Sequence, residues 1–179
     1  MPSFELLRSE TLLQGRAFKV RRDFLRAPDG RETMYDIIEH TGSVVLVPID
    51  ERGNVLFVRQ YRPAAGIQLL ELPAGTLDEN ESFEACAARE MREETGMAAD
   101  RLDKAGQFFL VPGYSTEFMA VFVATGLRPD PLPTDVDEFL ELERIPLEQA
   151  MRMAEGGEIP DAKSLAALLM ARSRLMAQQ

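Results

Sequence analysis

Cysteine and histidine are almost missing from this chain: one of each, Cys86 and His40, in 179 residues. A single cysteine closes no internal disulfide, so a reducing compartment is the default. The pair also falls short of the ligand set of a zinc hydrolase. Positive charge is scarce too. Twenty Lys and Arg face thirty Asp and Glu, a formal charge of −10, which argues against nucleic acid or an anionic membrane as partner. An anionic small molecule would need metal ions or a local arginine cluster to approach such a surface. No apolar run nears the ~20 residues that span a bilayer. The first ten residues set no basic segment ahead of a long apolar one. A soluble cytoplasmic protein is expected. No strand-linked G-x-G-x-x-G and no G-K-[ST] occurs, which sets aside Rossmann and P-loop nucleotide binding. Internal repeats and low-complexity segments are absent as well.

What the chain does have is an acidic helix of unusual layout. Glu90, Glu93 and Glu94 lie three and four apart, so all three share one helix face. Like charges that close repel and need a cation among them. Oxygen-only ligands suit hard ions such as Mg²⁺ or Mn²⁺. The flanks fit a rigid loop-helix-loop. Leu72-Pro73-Ala74-Gly75 ends an apolar strand and turns, with Gly75 allowing backbone geometry that a side chain would forbid. Asn80 and Ser82 are both candidate N-caps. Phe83, Ala87 and Met91 form an apolar seam for the core, and Cys86 reads as a small buried helix residue. Arg89 is within reach of Glu81 and Glu93 and can fix a carboxylate in orientation. Gly96 follows as a C-terminal cap.

Along the rest of the chain, residues 16–39 read as a β-hairpin around the turn Pro28-Asp29-Gly30. Strands are expected at 42–49, 55–60, 68–72, 105–111, 118–124 and 139–145. Helices are expected at 147–155 and 161–177, the second capped by Asp161, with Leu165, Leu168, Leu169, Arg172 and Met176 as a packing stripe. Residues 128–137 form a proline-rich loop. This order implies an α+β domain. The boundaries that follow are an N-terminal β-hairpin extension at 1–41 and a main domain at 42–179.

The acidic stretch resembles the Nudix box: Gly75, Glu81, Arg89, Glu90, Met91, Glu93, Glu94, Gly96 and Met97 fill every specified position. A chance match arises at roughly a few in ten billion starting points at average residue usage. The resemblance implies the Nudix fold, an α/β/α sandwich with a mixed sheet. It also implies metal-dependent cleavage of a nucleoside diphosphate linked to another moiety. Within the family the chain is similar to ADP-ribose pyrophosphatases. That likeness runs through Val58-Arg59-Gln60-Tyr61-Arg62-Pro63, Glu71-Leu72-Pro73-Ala74-Gly75, Pro112-Gly113-Tyr114-Ser115-Thr116-Glu117 and Gly157-Glu158-Ile159-Pro160-Asp161-Ala162. It implies hydrolysis of ADP-ribose to AMP and ribose 5-phosphate. The enzyme alternative is another nucleoside diphosphate sugar such as GDP-mannose. The non-enzyme alternative is a nucleotide-sensing Nudix protein, which is expected to lose box carboxylates; none is lost here.

The resemblance also implies site roles. The Ala74 carbonyl with Glu90, Glu93 and Glu94 would hold two or three Mg²⁺ or Mn²⁺ ions, with Arg89 and Glu93 in the catalytic set. Arg62 would contact the diphosphate and Glu117 the terminal ribose or a metal-bound water. The general base would sit in the 134–138 loop: Glu138 by offset from the next strand, with Asp137 and Asp135 as rivals. Some members place an arginine in the N-terminal hairpin to hold the adenine. The corresponding segment here reads Met34-Tyr35-Asp36-Ile37, so Tyr35 or Phe18 would stack on the base instead. His40 reads as structural. A homodimer is expected, because the hairpin carries Phe18, Val20, Phe24, Tyr35, Ile37 and Ile38 and needs a surface to cover it.

Overall fold

The computed structural model describes residues 3–16, 18–134 and 139–176. The chain divides into two compact units. One holds the segment up to Gly42 together with Phe109–Phe118, and the other holds Ser43–Phe108 and the chain from Met119 onward.

The first unit is a three-stranded antiparallel sheet in the order β1 (Glu5–Gln14), β2 (Lys19–Arg26), β3 (Glu32–Glu39). The expected hairpin is β2 and β3. Its turn closes where Gly30 takes φ 86° and donates to the Ala27 carbonyl at 2.9 Å. The hairpin is not alone, however, since β1 pairs along the outer edge of β2. Polar pairs secure the sheet: Arg22 with Asp36 and Arg26 with Glu5 across strands, and the buried Asp23 with Ser9 across the β1–β2 pair and with Arg21 along β2. The 109–118 segment docks on β3 through backbone hydrogen bonds from Ile38 N to the Tyr114 carbonyl and from Thr116 N to the Ile38 carbonyl. His40 is structural: its Nδ1 accepts from Gly42 N and its own N–H donates to Thr116 Oγ1.

The second unit carries two sheets and three helices. A mixed sheet runs in the order β7 (Ala74–Thr76), β4 (Ser43–Pro48), β9 (Phe118–Pro129), β8 (Met97–Phe109). Strand β4 is antiparallel to β7 and parallel to β9. An antiparallel sheet runs in the order β10 (Glu141–Pro146), β5 (Asn54–Arg62), β6 (Ile67–Glu71). Every residue of β4 is buried, as its unbroken apolar run requires of a strand covered on both faces. Val44 and Leu46 share one core cluster with Cys86, Ala87 and Met91 of α1 (Phe83–Thr95), and with Ala120 and Phe122 of β9. By alternation Val45 and Val47 face the other way. Helix α3 (Ala162–Met176) also packs on β4. Each large side chain buried there contributes about 1.5–3 kcal/mol. Helix α2 (Leu147–Gly156) packs on β5 and β10.

Several boundaries differ from the sequence reading. Strand β8 starts on the last residue of the box, Met97, and β10 starts at Glu141, leaving Phe139 84% exposed. On α3 the buried stripe is Ser164, Ala167, Leu168, Ala171 and Leu175, and Leu169 faces outward. The stripe sits one residue off because Asp161 caps the helix and turns Ser164 inward. Among the described residues, no helix is long and apolar enough to cross a membrane.

Candidate active site

Helix α1 is set rigidly at both ends. Of the two candidate caps, Ser82 is the one used: its Oγ accepts from Ala85 N at 3.1 Å. Asn80 instead takes a left-handed turn conformation at φ 64°. At the C-terminus, Gly96 sits at φ 70° and donates to the Arg92 carbonyl. Ahead of the helix, Gly75 pairs with Val44 and Pro73 accepts from Leu46 N, so the 73–76 segment is locked to β4. The reason for glycine at 75 differs from the one expected. Its φ lies outside the left-handed region, and a Cβ built there would land on the Glu90 carboxylate. Glycine is needed for close approach, not for backbone freedom.

The carboxylates gather as the spacing implies. Glu90 and Glu94 are buried beside the apolar seam, and Glu93 is half-buried. Glu94 accepts the Ala74 N–H at 2.9 Å. Arg89 stands among the rest. Its Nη1 donates to Glu90 at 2.6 Å and to Glu93 at 2.8 Å, while Nε and Nη2 clasp Glu81 at 3.0 and 2.8 Å. The clasp from Arg89 holds the Glu81 carboxyl down to about 2, against the cost of its burial. The same bonds, Glu81 first, raise the pKa of Arg89. Cys86 lies under this cluster with its thiol toward the Gly75 and Thr76 carbonyls. Burial, then the charges of Glu90 and Glu81, push that thiol well above its ordinary range, so it is no nucleophile at neutral pH.

The donor set fits a hard divalent cation. Three carboxylates share one helix face, a guanidinium bridges Glu90 and Glu93, and the Ala74 N–H holds Glu94; carboxylate oxygens are the ligands such an ion takes. Among the described residues, no three acidic, His or Cys side chains stand in ready metal-holding geometry. Binding would therefore require Glu90 and Glu93 to release or share Arg89.

A second charged cluster lies at the ends of β5 and β6. Arg62 donates to both oxygens of Glu71 at 2.9 and 2.7 Å, and Lys163 of α3 also donates to Glu71. Lys163 reaches Asp161 as well, at 2.8 Å. Burial pushes Glu71 upward, but Arg62 and Lys163 outweigh it and hold the carboxyl below its ordinary value. The bonds to Glu71 raise the pKa of Arg62, which also feels the charges of Glu94 and Asp161. Sequence reasoning missed the roles of Glu71 and Lys163. They stand 92 residues apart, and no local period links them.

Glu117, Phe18 and Tyr35 belong to the first unit. There Tyr35 lines a cavity of about 330 Å³ with Pro112 and Tyr114 and meets Phe4 edge to face at 6.1 Å. Phe18 lines a separate cavity of about 250 Å³ with Arg16, Lys19 and His40. Glu117 is half-buried, and its backbone N–H donates to Ser115 Oγ. Glu138, Asp137 and Asp135, the three candidates for the base, lie outside the described residues.

A sequence model described as the NUDIX domain matches residues 39–168. The chain belongs to the Nudix family. It is a Nudix hydrolase, similar across its length to two enzymes each named ADP-ribose pyrophosphatase. The one from Mycobacterium tuberculosis is 38% identical over 93% of this chain and 82% of its own length. The one from Bacillus subtilis is 32% identical over 95% of this chain and 94% of its own. Among solved structures, one titled crystal structure of ADP compounds hydrolase superposes with a TM-score of 0.86 at 28% identity, covering 98% of this chain and 95% of the other. The mixed sheet with its helices is thus the Nudix fold. Nudix hydrolases generally use divalent metal ions.

Proposed function

We propose that this Nudix hydrolase cleaves the diphosphate of ADP-ribose, giving AMP and ribose 5-phosphate. The observation that carries the reading is the complete acidic face of α1, closed against Ala74 and Gly75, in a chain alike along its length to ADP-ribose pyrophosphatases. Glu90, Glu93, Glu94 and the Ala74 carbonyl would hold two or three Mg²⁺ or Mn²⁺ ions. Bound divalent ions offset diphosphate charge and lower the pKa of coordinated water. The chain's own residues do the rest. Arg89 clasps Glu81 and bridges Glu90 and Glu93, so the carboxylates are gathered on one face before metal draws Glu90 and Glu93 from it. Arg62 contacts the diphosphate, Glu117 the terminal ribose, and Tyr35 or Phe18 the adenine. Glu138 takes the proton from the attacking water.

We read the active form as a cytoplasmic homodimer in which the N-terminal sheet of one copy covers the other. What supports this is the exposed apolar surface on that sheet, which includes Leu6, Leu13, Met34 and Tyr35. The deciding experiment is a hydrolysis screen of nucleoside diphosphate derivatives with Mg²⁺ and with Mn²⁺, the phosphate products being identified. ADP-ribose should be cleaved fastest, to AMP and ribose 5-phosphate. Faster cleavage of GDP-mannose, or no cleavage of any compound, would overturn the reading.

A further inference from the structure

Burying ions is costly, and a core keeps them only where geometry demands it. Glu71 is 1% exposed and Lys163 7% exposed, yet both are charged and face each other. Replacing such a buried pair by apolar residues of similar volume is often neutral or stabilising, so the pair is weak support for a purely structural role. Its connections suggest another. One edge of the Arg62 guanidinium is clasped by both Glu71 oxygens, while the Arg62 side chain remains 40% exposed. Glu71 is in turn fixed by Lys163, and Lys163 by Asp161. Asp161 caps α3 by accepting from Ser164 N, and Ser164 Oγ accepts from Leu72 N at 2.7 Å. Two ties therefore run from the first turn of α3 to residues 71 and 72, directly ahead of the Pro73-Ala74-Gly75 segment.

We infer that Glu71 and Lys163 are positioning residues, a buried relay that holds Arg62 at the strand end so that its exposed edge meets the anionic diphosphate. The inference rests on the reading of Arg62 as a diphosphate contact. A planar guanidinium recognises a phosphate through paired N–H groups, and that match fails when the plane is free to swing. Glu71 fixes the plane. Lys163 in turn keeps Glu71 from being pulled toward solvent by the same arginine. The relay binds no substrate atom itself. It acts on affinity for the diphosphate and leaves the bond-breaking step to the acidic face of α1.

The test is a set of steady-state kinetics on Arg62→Ala, Glu71→Gln, Lys163→Met and the double variants with Arg62→Ala, using whichever compound the screen ranks first. Melting temperatures are recorded alongside. Glu71→Gln keeps the side-chain volume and guards against the case in which Lys163→Met does not fold. Lys163→Arg is included as the conservative rescue. Glu71→Gln and Lys163→Met should each raise KM about tenfold with kcat within about threefold of wild type. Lys163→Arg should restore most of the affinity. In the Arg62→Ala background, Glu71→Gln should change KM by less than about twofold. If Arg62→Ala has a normal KM, the diphosphate role of Arg62 falls and the relay with it. If Arg62→Ala is impaired while Glu71→Gln is normal, the relay alone falls. Equal effects of Glu71→Gln with and without Arg62 would also overturn it.

Discussion

Gly75→Ala separates the stability of this fold from its activity. The backbone at 75 is pinned, because it pairs with Val44 of the buried strand β4 and the preceding Pro73 accepts from Leu46 N. An added methyl cannot move away; the Glu90 carboxylate it would overlap must move instead. That group is the far end of a flexible side chain, so the fold survives. Glu90 then gives up the 2.6 Å hydrogen bond from Arg89. A hydrogen bond to a charged group contributes about 1.5–3 kcal/mol. The unfolded chain loses freedom on Gly→Ala, which returns about 0.4–1 kcal/mol. The net cost is roughly 1–2 kcal/mol, a fall in Tm of about 2–8 °C for a chain of this size. Activity suffers far more. A misplacement of about 1 Å in a catalytic group costs on the order of 100-fold. Product release by chromatography and thermal unfolding by fluorescence would be measured on the same sample. Gly156→Ala serves as control, since a Cβ there meets only the end of the Glu158 side chain, at 3.7 Å. Gly75→Ala with activity within threefold of wild type would refute the reasoning, and so would loss of cooperative unfolding.

Other outcomes follow from the same geometry. Glu93→Gln should lower kcat at least about 1000-fold with little change in Tm, because the side chain is half-buried and its loss relieves repulsion on the helix face; turnover within tenfold of wild type would remove Glu93 from the metal set. Glu81 has its folded-state pKa depressed to about 2, so its stabilising effect is complete above about pH 4.5 and is lost as pH falls toward 2. Acid titration of unfolding should therefore show Glu81→Gln with a flatter stability profile than wild type between those limits, by roughly 2–3 kcal/mol, and parallel profiles would count against the clasp. Light scattering at micromolar concentration should give a dimer; a monomer with full activity would dispose of both the dimer and the shared site.

How much of this could be read from the chain depended on distance along it. The box helix was legible in outline, because candidate caps, apolar seam and acidic face all recur within one local period. Of its two candidate caps only Ser82 serves, a choice settled by the left-handed turn at Asn80. The turn at Gly30 was legible for the same local reason. Strand β1 was not, since it is mostly exposed and stands on charge pairs across the sheet, not on an apolar alternation. The start of β8, Met97-Ala98-Ala99-Asp100, carries residues with little preference for strands and is held by its neighbours in the sheet. Within the site, Arg89 and its three carboxylates lie inside a window of 13 residues, Glu81 to Glu93, and could be paired on paper. The partner of Glu71 could not, because nothing near residue 71 announces a lysine on the last helix.

That separation also sets an order of events during synthesis. The acidic helix leaves the ribosome long before Lys163 does, the lysine standing 92 positions after Glu71. At about 5–20 residues per second, that gap lasts roughly 5–18 s. Through that interval the nascent chain holds a carboxylate bound for burial with no α3 to neutralise it. The bond from Lys163 to Glu71 thus forms only when the last helix docks. A chain cut short before residue 163 would keep the whole Nudix box and still lack half of the Arg62 clamp.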